Sequence, residues 1–342
     1  GTEHLETEIK SDYSLSPVTE KIIEEDVKYV FGKINTISSN IKEVIRDRDV
    51  IIVAVTATGH KYIARECAPY LRDGQTILLS PGRCFGAIEF YKIVNDYYKP
   101  KRMPDITIAE AQTSIYTSRY TTPRSVRIFG VKFSVDIATI PSFKVKDVVN
   151  LLGDIYPQLT PTDNILKTSL GNVGGIFHVP ITILNTTKID RRQNFKYYID
   201  GITEHTAPII EDVDKERLLI AKELDVKVIS ARKWLYQKYG SVGADLYEAI
   251  QNTRAYREIK SPESINHRYI WEDVPTSLVP LSSLGKKLQI PTPMIDSFIY
   301  QAISAMRKYF NIDFFESGRT MENLGLEDMS IDEIKKNIKT GY

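Results

Sequence analysis

Cysteine is scarce in this chain of 342 residues: Cys67 and Cys84 are too few for a disulfide framework and lack the spacing of a metal-binding pattern. A reducing, cytoplasmic setting is the expectation that follows. Long apolar runs are missing as well. The most apolar stretches, such as "VIIVAV" at Val50 to Val55, fall far short of the roughly 20 residues a membrane helix needs. Residues 1 to 30 are charged throughout and lack the apolar segment of a signal peptide. Neither sign of charge is in surplus, with 45 Lys plus Arg against 44 Asp plus Glu, so nothing pulls the chain onto nucleic acid or an anionic membrane. Five histidines without paired spacing argue against a metal site.

What is present points to two domains, since the length exceeds what one hydrophobic core usually serves. "DVIIVAV" (Asp49 to Val55), "DGQTILLSPG" and "DITIAEAQT" are apolar strands separated by helical stretches, the first helix capped by Ser38 or Ser39 and the second running about Ile63 to Leu71. Apolar strands alternating with helices imply a parallel sheet covered on both faces. "SVRIFGVKFSVDIATIP" predicts two extended pieces at the sheet's edge, and "KVKDVVNLLGDIYPQ" a helix that closes the domain. Residues 1–155 therefore read as an α/β, Rossmann-like domain.

Residues 156–342 read as all-helical. Ile209, Ile210, Val213, Ile220 and Leu224 make one face of a helix, with Asp212, Lys215, Glu216 and Lys222 elsewhere on it. Ile295, Ile299, Ala302, Met306 and Phe310 make a second stripe, with Thr292 as the expected cap and Pro293 in the first turn. "SARKWLYQKYG" and "LYEAIQNTRAY" add shorter helices, and the charged tail after Leu326 a peripheral one.

A parallel-sheet half followed by a helical half is a frequent plan for dehydrogenases that seat a nicotinamide dinucleotide at the strand ends. The glycine-rich turn that cradles a pyrophosphate is not in this sequence, so the first βαβ unit of such a domain reads as missing or atypical. By position, Val55, Thr56 and Ala57 follow a strand and offer backbone contacts to a cofactor. His60 is either a further contact or merely the start of the next helix. Arg83 sits in the glycine-flanked turn "PGRCFGA", facing the nicotinamide or an oxo acid, or only turning the chain. Gln112, Thr113 and Arg119 lie beyond a strand end and are candidates for holding an oxo acid. Cys84 has no evident base beside it, which argues against a nucleophilic role.

Several segments carry a resemblance. "DVIIVAVTATGHKYIARECAPYLRDGQTILLSPGRCFGAIEF", "AEAQTSIYTSR", "GGIFHVPITILN", "LYEAIQN", "NHRYIWEDVPTSLVPLSSLG" and "PTPMIDSFI" resemble, in the same order, stretches of the opine dehydrogenases, the NAD/NADP octopine/nopaline dehydrogenase family. The likeness spans about residues 33 to 326 and rests on the set of motifs together. It implies an enzyme that uses NADH or NADPH to join the amino group of an amino acid to a 2-oxo acid such as pyruvate, giving an N-(carboxyalkyl)amino acid.

The same resemblance implies roles for residues that on their own read more plainly. His178, otherwise a core histidine at a helix start, matches the family's acid/base. Asp273, otherwise a helix cap or first-turn acid, matches the carboxylate that orients it. Arg268, otherwise an ordinary ion-pair partner, matches the clamp for the amino acid carboxylate. Trp271 is a candidate wall of the side-chain pocket, Glu272 reads as a bystander, and His267 and Asn266 as support behind the loop. Two other readings stay open: a different two-domain NAD(P)-dependent dehydrogenase acting on a hydroxy acid or polyol phosphate, and a non-catalytic paralogue that binds an amino acid or a partner. The oligomeric state is open, a homodimer among the options.

Overall fold

The computed structural model describes residues 6–11, 29–122 and 125–341; most of the charged opening segment lies outside them. The strands are β1 (Glu6–Ser11), β2 (Tyr29–Lys33), β3 (Val50–Val53), β4 (Thr76–Leu79), β5 (Thr107–Ala111), β6 (Tyr116–Thr122), β7 (Ser125–Val131), β8 (Val135–Ile140) and β9 (Leu159–Pro161). They form a five-stranded sheet in the order β3-β4-β5-β8-β9 and a four-stranded one in the order β2-β1-β7-β6. β3, β4 and β5 run parallel, in register from Val50 opposite Thr76 and from Thr76 opposite Thr107. Every residue of β4 and β5 is buried, as continuous apolar runs require when both faces are covered.

Alternation along these strands sorts their side chains between two cores. Ile77, Leu79 and Ile108 face the helix Gly86–Tyr98 and join one apolar cluster with Val179, Ile210 and Leu281 of the helical half. Leu78, Ala109 and Ile137 face the other way, onto Val148 and Leu152 of the helix Val145–Leu152. One continuous core thus spans the sheet and the helices, and fixes where the strand ends meet the second half. Among the described residues no strand pairs with the outer edge of β3, where Ile52 is 43% exposed.

The structure refines three expectations. The run around Gly130 supplies the two extended pieces, but in different sheets: β7 pairs with β6 in the small sheet, while β8 joins the main sheet antiparallel to β5. The chain crosses between the sheets at Lys132 to Ser134, where Lys132 N–H bonds the Ile115 carbonyl and Phe133 N–H that of Lys238. The main sheet also gains a strand after the helix expected to close the domain, as β9 pairs with β8. The last helix, Ile331–Thr340, packs Ile334 and Ile338 into the shared core and lies on β8, so the C-terminal segment returns to the sheet.

Two caps differ from expectation. Asn40, not Ser38 or Ser39, caps the helix Ile41–Ile45 by accepting from Lys42 N–H. Thr292 makes no capping bond for Pro293–Met306; Glu216 of the helix Ala207–Glu223 accepts from the Met294 and Ile295 amides at 2.7 and 2.9 Å instead. A carboxylate assigned by periodicity to the polar face is therefore buried, because a neighbouring helix N-terminus needs acceptors.

Candidate active site

The site forms where the C-terminal ends of β3 and β4 meet the N-terminus of the helix Gly174–Leu184. Close approach is a matter of glycine here. A Cβ on Gly174 would run into the Arg83 guanidinium, and one on Gly175 would lie 2.5 Å from Ser277 Cβ. Gly175 thereby lets the helix settle against the wide, π-helical turn Val274–Leu278, a rare geometry that recurs at functional positions. That contact brings His178 to Asp273.

His178 Nδ1 lies 2.7 Å from Asp273 Oδ2, and Nε2 lies 2.9 Å from the Tyr198 hydroxyl. Asp273 is fully buried and turns its other oxygen to Arg83 Nη1 at 3.1 Å; it makes no capping bond to the turn it precedes. Burial raises the Asp273 pKa, but Arg83 and His178 outweigh it and hold the carboxyl below its usual range. Burial pushes the His178 pKa down to about 4, against the pull of Asp273, with Arg83 and Arg268 adding to the fall. Burial also raises the Tyr198 phenol well above its usual value. A neutral phenol donates to Nε2, and the imidazole proton then resides on Nδ1, donated to Asp273.

Arg83, at φ 59° in the left-handed region, reaches Asp273 and also Glu272 at 3.6 Å. Glu272 is no bystander. It is 2% exposed, accepts from the Ala57 amide at 3.0 Å and lies 3.6 Å from Arg268, so it ties the turn after β3 to the helical half. Tyr269 stacks on the His178 ring at 4.2 Å, and Arg119 donates to its hydroxyl. His267 accepts from the Tyr269 amide and caps the short helix Arg268–Trp271. It supports the loop, as expected.

A cavity of about 670 Å³ opens beside His178, bordered by Val55, Thr56, Arg83, Thr113, Arg119 and Arg268 among others. Asp273 stands behind His178 and does not line the cavity, and neither do four residues expected to contact a ligand. Gln112 donates to the Gly171 carbonyl at 2.7 Å, whereas Thr113, next to it in the bend after β5, borders the cavity. Ala57 has its amide on Glu272 and its carbonyl on Arg319. His60 is fully buried and accepts at Nδ1 from Arg319 at 2.9 Å. Arg319 also holds the Gly82 and Cys84 carbonyls and Glu89, bracing both strand-end turns from behind. Trp271 packs against the hydrophobic core, and Trp234 borders the cavity in its place.

Sequence reasoning missed Tyr198, Tyr269, Lys132 and Trp234, all of which border the cavity. The one signal was the high tyrosine content, 20 Tyr against 12 Phe, since a buried hydroxyl needs a partner that a phenyl ring does not. Cys84 is buried with its thiol pushed up to about 12 by that burial, which leaves it inert.

The bordering strand ends fit the nicotinamide end of a dinucleotide, with Val55 and Thr56 directly after β3. The sequence has no glycine-rich turn for the pyrophosphate. Among the described residues no helix is long and apolar enough to cross a membrane.

Residues 161–306 match the family model for NAD/NADP octopine/nopaline dehydrogenase, alpha-helical domain. The chain is 37% identical over 303 residues to the opine dehydrogenase of Arthrobacter sp. (strain 1C), covering 89% of this chain and 82% of that one. Its fold is similar to octopine dehydrogenase with NADH and L-arginine, with a TM-score of 0.75 at 18% identity, covering 99% of this chain and 87% of the other. It is also similar to NADP+-bound yersinopine dehydrogenase, with a TM-score of 0.71 at 12% identity over 96% of this chain and 88% of that one.

Proposed function

Since the chain belongs to the NAD/NADP octopine/nopaline dehydrogenase family, and is an NAD(P)-dependent oxidoreductase acting on CH–NH bonds, we propose that the cavity beside His178 carries out the reductive condensation of an amino acid with a 2-oxo acid. Pyruvate, the 2-oxo acid named in one octopine dehydrogenase structure, is the first candidate here. The observation that carries this reading is a neutral His178 held between Asp273 and Tyr198 at the edge of a cavity shared by strand ends and helices.

His178 Nε2 takes up a proton from the Tyr198 hydroxyl that donates to it, while that hydroxyl takes one from the ammonium group of the amino acid, which frees the nitrogen lone pair to attack the keto carbon. Asp273 fixes the ring and stabilises the imidazolium that results. Nε2 then returns the proton by the same route to the hydroxyl of the adduct, water leaves, and an iminium remains. The nicotinamide cofactor, when bound, supplies the hydride that reduces this carbon; Val55, Thr56 and Arg83 border its end of the cavity. The protons balance, and His178 is neutral again.

A base with a pKa near 4 is weak for this work. Two of the groups that lower it are Arg83 and Arg268, and a substrate carboxylate against Arg268 cancels part of that field. Substrate binding therefore raises the basicity of His178 toward the working pH. Arg268 holds the amino acid carboxylate by its guanidinium fork, and Thr113 with Arg119 holds that of the oxo acid. Two free, buried cysteines suit a reducing cytoplasm.

The test is oxidation of NADH or NADPH by this chain with an amino acid and pyruvate, with His178→Ala alongside. Turnover that needs both carbon substrates and disappears in the variant is expected. Unimpaired turnover in a folded variant would overturn the assignment.

A further inference from the structure

Lys132 faces the cavity and has no part in the chemistry above. It is 4% exposed, and its Nζ has one hydrogen bond, to the Ser114 carbonyl at 2.7 Å. An ammonium carries three donors, so two N–H groups are left without an acceptor. The Nζ also lies 5.5 Å over the Tyr239 ring. On the same ring, edge-on at 5.8 Å, sits Trp234, whose buried Nε1 has no partner. This end of the cavity therefore has donors to spare. Among the described residues that line the cavity the one carboxylate is Glu272, which the Ala57 amide, Arg83 and Arg268 already engage.

Resting on the condensation reading, we propose that Lys132 receives a third carboxylate, so that one of the two substrates is a dicarboxylate. The source is either an amino acid with an acidic side chain or a 2-oxo acid with a second carboxylate. Arg268 and Arg119 account for the two carboxylates that any such pair of substrates brings. A neutral apolar side chain would seal the spare Lys132 donors away from water without a partner, which costs free energy. A cationic side chain would meet Lys132 and find no free acid. Tyr198, Tyr239, Tyr256 and Trp234 suit the methylene stem that such a carboxylate stands on. Burial, with Lys238 and Arg83 nearby, pushes the Lys132 pKa down to about 7; a carboxylate on Nζ restores its charge on binding.

Calorimetric titration of the whole chain in the presence of NADH tests this with two matched pairs of probes, L-glutamate against L-norvaline and 2-oxoglutarate against 2-oxopentanoate. The expected result is that one dicarboxylate binds at least about ten-fold tighter than its partner, and that Lys132→Met abolishes the advantage. The pair that shows it names the source. No advantage in either pair in the unmodified chain overturns the proposal, as does tighter binding of L-ornithine than of L-norvaline. These outcomes need no variant to fold. The condensation reading is scored separately, by whether any pairing of amine and oxo acid oxidises the cofactor.

Discussion

At the His178 end of the cavity buried charges meet their opposites: Asp273 lies 2.7 Å from His178 and 3.1 Å from Arg83, while Glu272 receives the Ala57 amide. At the Tyr239 end, the Lys132 ammonium has a single carbonyl and the face of a tyrosine ring. The contrast separates two uses of buried charge. Matched groups hold a geometry and set protonation states in the empty protein, and removing one strands its partner. Unmatched cations are a cost to the empty fold that a ligand anion offsets.

The largest test of this contrast is to break the matched end. Asp273→Asn keeps the shape but removes the charge that orients His178 and balances Arg83. Turnover should fall on the order of 10²–10⁴-fold, with binding of the carbon substrates changed much less. Steady-state kinetics with a separate binding titration measures both, and a loss confined to KM would mean that Asp273 serves binding only. Glu272→Gln comes next. It weakens the tether between the turn after β3 and the helical half and should destabilise the fold by about 3 kcal/mol, read from denaturant midpoints at unchanged slope.

Much of this architecture was legible in the sequence. Apolar runs such as Ile77 to Leu79 reported a buried parallel sheet because a strand covered on both faces has no polar positions to spare. The pairing of His178 with Asp273 came through family resemblance and not through spacing. Strand direction was not legible: nothing in "VDIATI" distinguishes an antiparallel β8 from a parallel one, since hydrogen-bond pattern leaves no trace in side-chain alternation. Gln112 and Thr113 part ways in the bend after β5, where Gln112 turns to the Gly171 carbonyl and Thr113 to the cavity, a divergence no local pattern announces. The roles of Glu272 and Arg319 depend on partners more than 200 positions away, which local reading cannot supply.

Acid should erode the matched end in a defined window. His178 and His267 are both held down at about 4, first by burial, whereas in the unfolded chain each titrates near its ordinary value of about 6.5. Between those values the unfolded chain binds more protons than the native one, so stability rises with pH across the window. Stability should be intact above about pH 6.5 and decline as the pH falls toward about 4, with proton uptake on unfolding. Thermal unfolding at pH 7 and pH 5 checks the sign. In His178→Asn the decline should be shallower, and an unchanged slope would remove His178 from the account.

The smallest effect should come from the unmatched end, and its sign is the informative part. Lys132→Met replaces a desolvated ammonium beside Lys238 and Arg83 by a flexible apolar chain of similar length. At pH 6, where the lysine is charged in water and burial opposes that charge, the variant should match or exceed the parent in stability, by about 0–2 kcal/mol. At pH 9 the parent's lysine is neutral in the fold but still protonated in the unfolded chain, so the gap should be narrower than at pH 6 and close only as the pH passes the ordinary lysine value of about 10.4. A loss of several kcal/mol would mean that Lys132 belongs with Glu272, as a group the empty fold relies on, and the distinction between the two ends of the cavity would fail.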